Sequence, residues 1–394
     1  MDKPIARSKD YLAPRAACSN VSPASRKLLL ISTTSKIGGT ERIVLSLAQG
    51  MRSGRVDVRT VLAEDEGVDA TVDWFYQHGV SAEASTAILT VYKPHTLRAL
   101  LDLRRLVRKS GADTANLHYG GNHLSIKDVI AVRAAGVRRC VVSIHHTNPI
   151  EDSRQRAMTR LGAKLVSAVV VTTDVAKNIL LDVGVPNRKI HVIAPSVERP
   201  AAVGSRADAR ERLGIASDAF VISTVARLTP EKGIDDLING AARVPHAASG
   251  VELLIAGDGP ARAELEALAT SRMKGRVRFA GRVKETGDIY AASDVFALPS
   301  HMEGFGLVYI EAALHQIPSI GTSVGGIPFA IQDGVTGILV PLRNVDSIAE
   351  AIGKLRDDPE LRQRMGEAAR QRAEKEFSSS RMCEKYERVL FPER

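Results

Sequence analysis

The sequence predicts an α/β protein whose chain forms two doubly wound parallel sheets. Short apolar runs alternate with helical patterns along the chain, which is typical of successive βαβ units. Some runs are apolar without interruption, as at 169–171, and such runs favour central strands that are covered on both faces. A polar passage rich in Pro and Ala at 196–206 separates two series of these runs, so we expect two domains.

The first series begins with a strand at 28–31, a loop at 32–39 and a helix at 41–51. Apolar residues recur on one face of that helix at helical spacing. They are Ile43, Val44, Leu47 and Ala48, and further strands of this series are predicted at 58–63, 114–118, 141–145, 168–173 and 190–194.

The second series supplies six more strands and a helical C-terminus from Asp346 onward. Because open α/β sheets bind ligands beyond the carboxyl ends of their strands, two such domains should enclose a cleft. We expect strands at 221–226, 252–256, 277–280, 295–298, 319–322 and 338–340. The predicted organisation is a disordered leader at 1–26, an N-terminal domain at 27–197, a C-terminal domain at 198–378 and a last helix at 379–394 that packs back on the N-terminal domain.

The composition is that of a globular protein with a basic surface. Hydrophobic residues make up 44% of the chain and charged residues 25%. The net charge of +9 suits an anionic substrate, a nucleic acid or an anionic membrane face. An aromatic content of 4% argues against stacking platforms for single-stranded nucleic acid or carbohydrate. Three widely separated cysteines, Cys18, Cys140 and Cys383, fit a reducing cytosol and indicate neither a disulfide framework nor a zinc site. No run approaches the roughly 18 apolar residues of a membrane span.

Two loops at strand ends carry glycine or basic residues. Gly38-Gly39 allows the backbone to approach a phosphate or a sugar closely, with Thr40 as a candidate N-cap, although a plain βα turn explains the pair equally well. Arg227 and Lys232 follow a strand of the second series, where two cations can neutralise a diphosphate. A solvated basic loop is the alternative interpretation of these two residues.

A third loop places two carboxylates, Glu303 and Glu311, around the turn Gly304-Phe305-Gly306. A buried strand, a glycine-bearing loop and a helix start form, in this order, a site for a phosphorylated ligand. Like charges repel, so the carboxylates suit sugar and ribose hydroxyls better than phosphate. An acid/base pair of the kind that glycosidases use is the other interpretation.

Histidines close two predicted strands of the first series. His118 and His145 should both point toward the cleft, and strand alternation places His146 on the opposite side. The sequence holds no H-E-x-x-H, D-x-D or cysteine cluster, so we expect no tightly bound metal.

In this order the residues resemble the family-4 retaining glycosyltransferases, which have the GT-B fold. Glu303 and Glu311, with seven residues between them, resemble the E-x7-E signature of that family. The resemblance covers the chain from Lys27 to about Arg388 and includes Gly38-Gly39, His145, Arg227, Lys232-Gly233, Gly257-Asp258-Gly259-Pro260, Gly281-Arg282-Val283 and Gly325-Gly326. One departure is Ala194-Pro195-Ser196-Val197-Glu198 at the domain junction, where the family usually has Pro-Asn-Gly-Val-Asp.

The resemblance implies a nucleotide-diphosphate sugar, a UDP- or GDP-sugar, as donor substrate and no tightly bound cofactor. Arg227 and Lys232 would hold the diphosphate, and Glu311 would accept hydrogen bonds from ribose. The remaining implied roles are Glu303, Gly304, Phe305, Gly306 and Leu307 at the transferred sugar, His145 at its reacting face, Gly38 and Gly39 over the phosphates, and Val283 at the base.

The implied function is the retaining transfer of a sugar to an acceptor hydroxyl in polysaccharide or glycolipid synthesis. A sugar, a lipid-linked or a small-molecule acceptor would bind the N-terminal domain, and no nucleic acid would take part. The alternatives are a nucleotide-sugar epimerase or phosphorylase of the same fold and a non-catalytic nucleotide-sugar binding protein.

The segment 96–109 is basic and amphipathic, and it bears on where the protein acts. It can rest on an anionic membrane, or it can be an ordinary helix with a solvated face. We expect a cytoplasmic protein. If the segment rests on a membrane, the protein would contact the inner face of that membrane peripherally.

Overall fold

The computed structural model describes residues 26–53, 56–65, 67–88, 96–121, 124–146, 149–244 and 250–393. They form two parallel sheets, one of seven strands and one of six, with helices on the faces of both. The two-sheet α/β fold expected from the sequence is therefore confirmed. The leader predicted at 1–26 lies outside the described residues except for Arg26, and so does Cys18.

The N-terminal sheet is built from βαβ units with short connections. Its strands are β1 (Arg26–Ser32), β2 (Val56–Ala63), β3 (Ala82–Ser85), β4 (Thr114–Tyr119), β5 (Arg139–Ile144), β6 (Ala168–Val171) and β7 (Ile190–Val192). Its helices are α1 (Gly39–Ser53), α2 (Val68–Gln77), α3 (Leu97–Ser110), α4 (Ile126–Ala134), α5 (Ser153–Leu165) and α6 (Asp174–Val183).

The C-terminal sheet is built in the same way, and three consecutive helices follow its last strand. Its strands are β8 (Phe220–Val225), β9 (Val251–Ala256), β10 (Val277–Gly281), β11 (Val295–Leu298), β12 (Ser319–Thr322) and β13 (Gly337–Val340). Its helices are α7 (Arg206–Arg212), α8 (Ile234–Arg243), α9 (Arg262–Arg272), α10 (Gly287–Ala291), α11 (Leu307–Leu314), α12 (Ile327–Ala330), α13 (Val345–Asp357), α14 (Pro359–Glu376) and α15 (Ser379–Leu390).

Both sheets reverse the direction in which strands are added at one point. The strand order is β3-β2-β1-β4-β5-β6-β7 in the first sheet and β10-β9-β8-β11-β12-β13 in the second. The reversals fall between β1 and β4 and between β8 and β11. The loops after these strands diverge to opposite faces, which opens a crevice at the carboxyl edge of each sheet.

Strand alternation divides the N-terminal core into two layers. Leu29 and Ile31 of β1 pack into an apolar cluster with the side chains of α3 and α4. Leu28 and Leu30 point to the other face and pack with α1. Because helices cover both faces, a central strand needs apolar residues at every position, which explains the uninterrupted apolar runs of the sequence.

The last helix, α15, packs on the N-terminal domain rather than on the domain that precedes it. Met382, Tyr386 and Leu390 are buried in the same apolar cluster as α1. The Tyr386 hydroxyl donates a hydrogen bond to Ser143 Oγ (3.2 Å), and Arg139 Nε donates one to the carbonyl of Val389 (2.6 Å). The chain therefore crosses between the domains twice, once before α7 and once before α15.

Every strand that the sequence predicts is present. The sequence does not predict β3, and the prediction of Thr40 as an N-cap is wrong. The four residues of β3, Ala-Glu-Ala-Ser, include no β-branched or aromatic side chain, so they give no strand signal. Thr40 is not an N-cap, because α1 already begins at Gly39.

We expect Leu390→Ala to lower the free energy of unfolding by about 2–5 kcal/mol, because it removes a fully buried side chain from the contact of α15 with the N-terminal domain. Urea unfolding followed by circular dichroism would measure the change. Glu384→Ala, at an exposed position of the same helix, is the matched control and should stay near wild type. Equal stabilities of the two variants would contradict this packing.

Candidate functional site

A cleft of about 370 Å³ lies between the carboxyl edges of the two sheets. The loop after β1, the start of α1 and the ends of β4 and β5 line it from the N-terminal domain, and the loops after β8 and β11 line it from the C-terminal domain. The structure brings eleven of the predicted site residues into its lining, namely Gly38, Gly39, His145, Arg227, Lys232, Glu303, Gly304, Phe305, Gly306, Leu307 and Glu311. Val283 is outside the described lining and packs beside the small apolar cluster of Ala209 and Ile289.

Glu303 is held by a cation from the neighbouring loop. Lys232 Nζ donates to Glu303 Oε2 at 2.8 Å, and both side chains are mostly buried. The amide of Gly304 donates to the other carboxylate oxygen, Oε1, at 3.1 Å. These two contacts fix the orientation of the Glu303 carboxylate. It forms an ion pair with Lys232 and makes no contact with the second carboxylate, Glu311.

Glu311, in the middle of α11, has a different environment. It is buried, and it accepts hydrogen bonds from the Tyr290 hydroxyl (2.8 Å) and from Thr286 Oγ1 (3.4 Å). Arg42 of α1 lies 3.8 Å away, on the opposite side of the cleft. Burial and the neighbouring negative charge of Glu311 raise the pKa of Tyr290 well above its ordinary value, so this hydroxyl stays protonated and remains a donor.

No sequence motif marks Tyr290, Thr286 or Arg42 as parts of this site. Tyr290 looks like an ordinary core residue of α10, and Arg42 like a charge on the solvent face of α1. Only the three-dimensional arrangement brings these residues to Glu311.

Arg227 is the most exposed of the three cations that line the described cleft, the others being Arg42 and Lys232. Its side chain is 71% exposed and pairs with Glu231 at 3.4 Å. Since an exposed ion pair is weak, Arg227 is free to turn to a stronger anionic partner.

The glycine pair after β1 lies above a buried carboxylate that the sequence did not single out. Glu41 is 1% exposed and accepts hydrogen bonds from the hydroxyls of Ser32 (3.3 Å) and Thr34. Burial raises the pKa of Glu41, and its hydrogen bonds oppose that rise. Glu41 thus ties the first turn of α1 to β1 and positions Gly38 and Gly39 on the cleft.

The histidines differ from expectation. His145 lines the cleft, as expected. The prediction that His118 points into the cleft is wrong, because His118 is fully buried. It lies beneath His145, with its Nδ1 2.9 Å from His145 Nε2. His146 also lines the cleft, beside Gly304, so the expected opposite orientation is wrong too. The reason is that β5 ends at Ile144, and alternation does not extend beyond the strand.

In the part of the chain that the structure describes, one group of side chains has metal-like spacing. Asp235, Asp236 and His301 bring one ligand atom each within 4.8 Å of the others. His301 Nε2 lies 2.8 Å from Asp236 Oδ2, so the contact is accounted for as a hydrogen-bonded pair. The group is outside the lining of the cleft.

The chemistry of the cleft suits a ligand with both negative charge and hydroxyl groups. Lys232 and Arg227 supply positive charge, and the first N–H groups of α11 open onto the same space. Two carboxylates with separate partners, Glu303 and Glu311, supply hydrogen-bond acceptors. The two carboxylates are bonded to separate partners and not to each other.

Two family models match the chain, one on each domain. Residues 37–199 match "Glycosyltransferase Family 4", and residues 205–372 match "Glycosyl transferases group 1". A D-inositol 3-phosphate glycosyltransferase of Kribbella flavida is 34% identical over 319 residues, which are 75% of this chain and 74% of that protein. This chain belongs to the family-4 glycosyltransferases.

Other relatives of this glycosyltransferase carry different names. An alpha-D-kanosaminyltransferase of Streptomyces kanamyceticus is 33% identical over 237 residues, which are 57% of this chain and 58% of that protein. An N-acetyl-alpha-D-glucosaminyl L-malate synthase of Bacillus anthracis is 26% identical over 306 residues, which are 76% and 80% of the two chains. The family and the enzyme class expected from the sequence are confirmed.

Solved structures share the GT-B fold of this glycosyltransferase. Anabaena HepE in complex with UDP and glucose superposes with a TM-score of 0.78 over 93% of this chain and 99% of its own, at 21% identity. Sucrose-phosphate synthase from Thermosynechococcus elongatus gives a TM-score of 0.74 over 92% and 98%, also at 21% identity. At this identity the likeness concerns the fold alone.

We expect the stability of the glycosyltransferase to fall as the pH is lowered from 6.5 toward 4, in part through His145. Burial lowers the pKa of His145 from its ordinary 6.5 to about 4, so the unfolded chain binds more protons in this window. Urea unfolding at several pH values would measure the slope, and His145→Gln should be less pH-dependent than wild type there. Identical slopes would show that His145 does not titrate in this way.

Proposed function

We propose that this glycosyltransferase moves a sugar, with retention of anomeric configuration, from a nucleotide-diphosphate sugar to an acceptor hydroxyl. The single observation that carries the proposal is the pair of separately held carboxylates, Glu303 with Lys232 and Glu311 with Tyr290, at one cleft. HepE, which shares the fold, has been solved with UDP and with UDP-glucose. A relative from Corynebacterium glutamicum is named as GDP-mannose-dependent, so a UDP- or a GDP-sugar is the proposed donor.

The proposed donor lies along the C-terminal side of the cleft. Lys232 has three N–H donors, so it can keep its bond to Glu303 and still contact a diphosphate oxygen. Arg227, at the exposed rim, closes onto the second phosphate. These two cations and the amides at the start of α11 stabilise the negative charge that grows on the leaving diphosphate.

Hydroxyl recognition falls to the carboxylates. Glu311 accepts hydrogen bonds from ribose, since Tyr290 and Thr286 hold it in place and occupy one of its oxygens. Glu303 and the 304–306 backbone contact the transferred sugar, with Leu307 beside them. Val283 is not carried into this proposal, because it packs away from the described cleft.

The acceptor is proposed to enter from the N-terminal side, past Gly38, Gly39 and His145. In a retaining reaction its hydroxyl attacks on the face that the diphosphate leaves, and the departing phosphate oxygen takes the proton. Closing the cleft excludes water, which would otherwise compete as acceptor. We place the reaction in polysaccharide or glycolipid synthesis, with a sugar, a lipid-linked or a small-molecule acceptor.

Lys232→Ala and Arg227→Ala should each lower turnover by about 10²–10³, because each removes a cation that stabilises the leaving group. Release of nucleoside diphosphate with the preferred donor measures turnover, and circular dichroism verifies folding. Lys375→Ala, at an exposed position on α14, is the charge-matched control. Near-normal transfer by both folded variants would contradict the proposed role of Lys232 and Arg227 at the diphosphate.

A panel of UDP-, GDP- and ADP-sugars tests the reaction class. Calorimetry measures binding, and proton NMR follows the anomeric configuration of the product. We expect tight binding of one nucleotide class and slow hydrolysis with retained configuration when no acceptor is present. Interconversion of the sugar without an acceptor would indicate an epimerase, and binding without consumption would indicate a sensor.

We also propose peripheral contact of α3 with an anionic membrane, at the inner face of the cytoplasmic membrane. Leu97 is 75% exposed and Leu101 is 43% exposed, on the same helix as the exposed cations Arg98 and Arg105, which both pair with Asp102. Apolar side chains among basic ones favour the interface of an anionic bilayer. No helix in the described part of the chain is long and apolar enough to cross a bilayer.

Flotation with vesicles that contain or lack anionic lipid tests this contact. Arg98→Glu/Arg105→Glu should abolish binding to the anionic vesicles, because charge attraction turns into repulsion. Lys354→Glu/Arg364→Glu, at exposed positions of α13 and α14, changes the net charge equally and should not. Absence of wild-type binding at low and high salt would exclude the membrane proposal.

A further inference from the structure

A continuous line of hydrogen bonds runs from the C-terminal helix to the cleft through the interior of the N-terminal domain. The Tyr386 hydroxyl donates to Ser143 Oγ at 3.2 Å, and Ser143 Oγ donates to Asn116 Oδ1 at 3.0 Å. Asn116 Nδ2 lies 2.9 Å from His118 Nε2, and His118 Nδ1 lies 2.9 Å from His145 Nε2. Ser143, Asn116 and His118 are fully buried, so no solvent interrupts the line.

The far end of the line decides its direction. The Tyr386 hydroxyl is buried, and Ser143 is its one hydrogen-bond partner among the described residues. If the amide of Asn116 were turned so that its nitrogen faced Ser143, the proton of Ser143 or of Tyr386 would have no acceptor. An unpaired buried donor is unfavourable, so every bond donates toward the cleft.

This direction assigns the protons on both histidines. Asn116 donates to His118 Nε2, which must be unprotonated, so the proton of a neutral His118 is on Nδ1. His118 then donates to His145 Nε2, and the proton of His145 is also on Nδ1. The two rings are within 10° of parallel with centroids 5.1 Å apart, which fits an N–H···N bond between neighbouring ring edges.

One ring nitrogen of His145 is left for a ligand. Nδ1 is buried and has no hydrogen-bond partner among the described residues, and the ring lines the cleft. We propose that the buried line fixes His145 as a neutral Nδ1–H donor to an oxygen of the bound substrate, with Asn116 and His118 as its positioning residues. The oxygen in question belongs to the sugar or phosphate of the donor, so this inference rests on the function proposed above.

The assignment makes His145 a donor and not a general base. Its Nε2 lone pair is occupied by His118, and burial lowers the pKa of both rings, so neither carries a charge at neutral pH. A proton released by the acceptor hydroxyl therefore has to go elsewhere, which agrees with the leaving phosphate as its destination.

NMR of the free protein labelled with ¹⁵N-histidine tests the tautomer without any activity. Long-range ¹H–¹⁵N correlation distinguishes a protonated from an unprotonated ring nitrogen, and His145→Gln identifies the His145 signals. We expect a protonated Nδ1 and an unprotonated Nε2 on His145 at pH 7. His118→Phe removes the donor to Nε2, so His145 should shift toward the Nε2–H tautomer that predominates in free histidine.

The same variants separate positioning from general damage. His118→Phe should lower kcat/KM for the preferred donor by about tenfold or more, the loss of one hydrogen bond to the substrate. His118→Asn supplies an amide N–H close to the position of Nδ1 and should recover the His145 tautomer and most of the rate. Thr60→Val removes a buried hydroxyl of β2 that has no partner among the described residues, and it should change neither.

The results test the assignment of His145 and the proposed function separately. An Nε2–H or a doubly protonated His145 at pH 7 overturns the inference, and so does an Nδ1–H tautomer that His118→Phe leaves unchanged. The expected tautomers without transfer from any nucleotide sugar would overturn the proposed function and leave the assignment of His145 intact.

Discussion

The loop after β11, which carries Glu303, is held between the loops after β8 and β12 by backbone contacts that only glycine permits. A Cβ on Gly233 would overlap the carbonyl oxygen of Pro299, and one on Gly325 would overlap that of Glu303. Because neither residue has a side chain, three loops at one sheet edge lie in direct contact. This closeness brings Lys232 to Glu303 and fixes the geometry of the C-terminal half of the cleft.

The N-terminal half of the cleft depends on α1, where the two chain crossings meet. Ser46 of α1 shares hydrogen bonds with Ser196 of the domain junction (2.7 Å) and with Ser379 at the start of α15 (2.9 Å). Ser196 stands where the family usually has Gly, and here its side chain is buried and hydrogen-bonded. The same helix presents Arg42 to Glu311 across the cleft. One helix therefore connects the domain junction, the last helix and Glu311 on the opposite side of the cleft.

Glu303 and Glu311 have unequal environments. Glu303 is paired with the cation Lys232, whereas Glu311 is buried among hydroxyl donors. Separate partners allow both to remain acceptors for hydroxyl groups.

The sequence by itself determined the succession along the chain of every strand but β3, the position of the cleft and most of its lining. These follow from local rules: parallel strands buried on both faces are apolar throughout, and glycines and charges at strand ends collect at one sheet edge. The strand β3 escaped because its four residues lack the side chains that mark a strand. Only the tertiary structure decided the partners of each side chain, such as Tyr290 for Glu311 and His118 for His145. These contacts join segments that lie apart in the chain, and their geometry depends on register and packing, which no local pattern encodes.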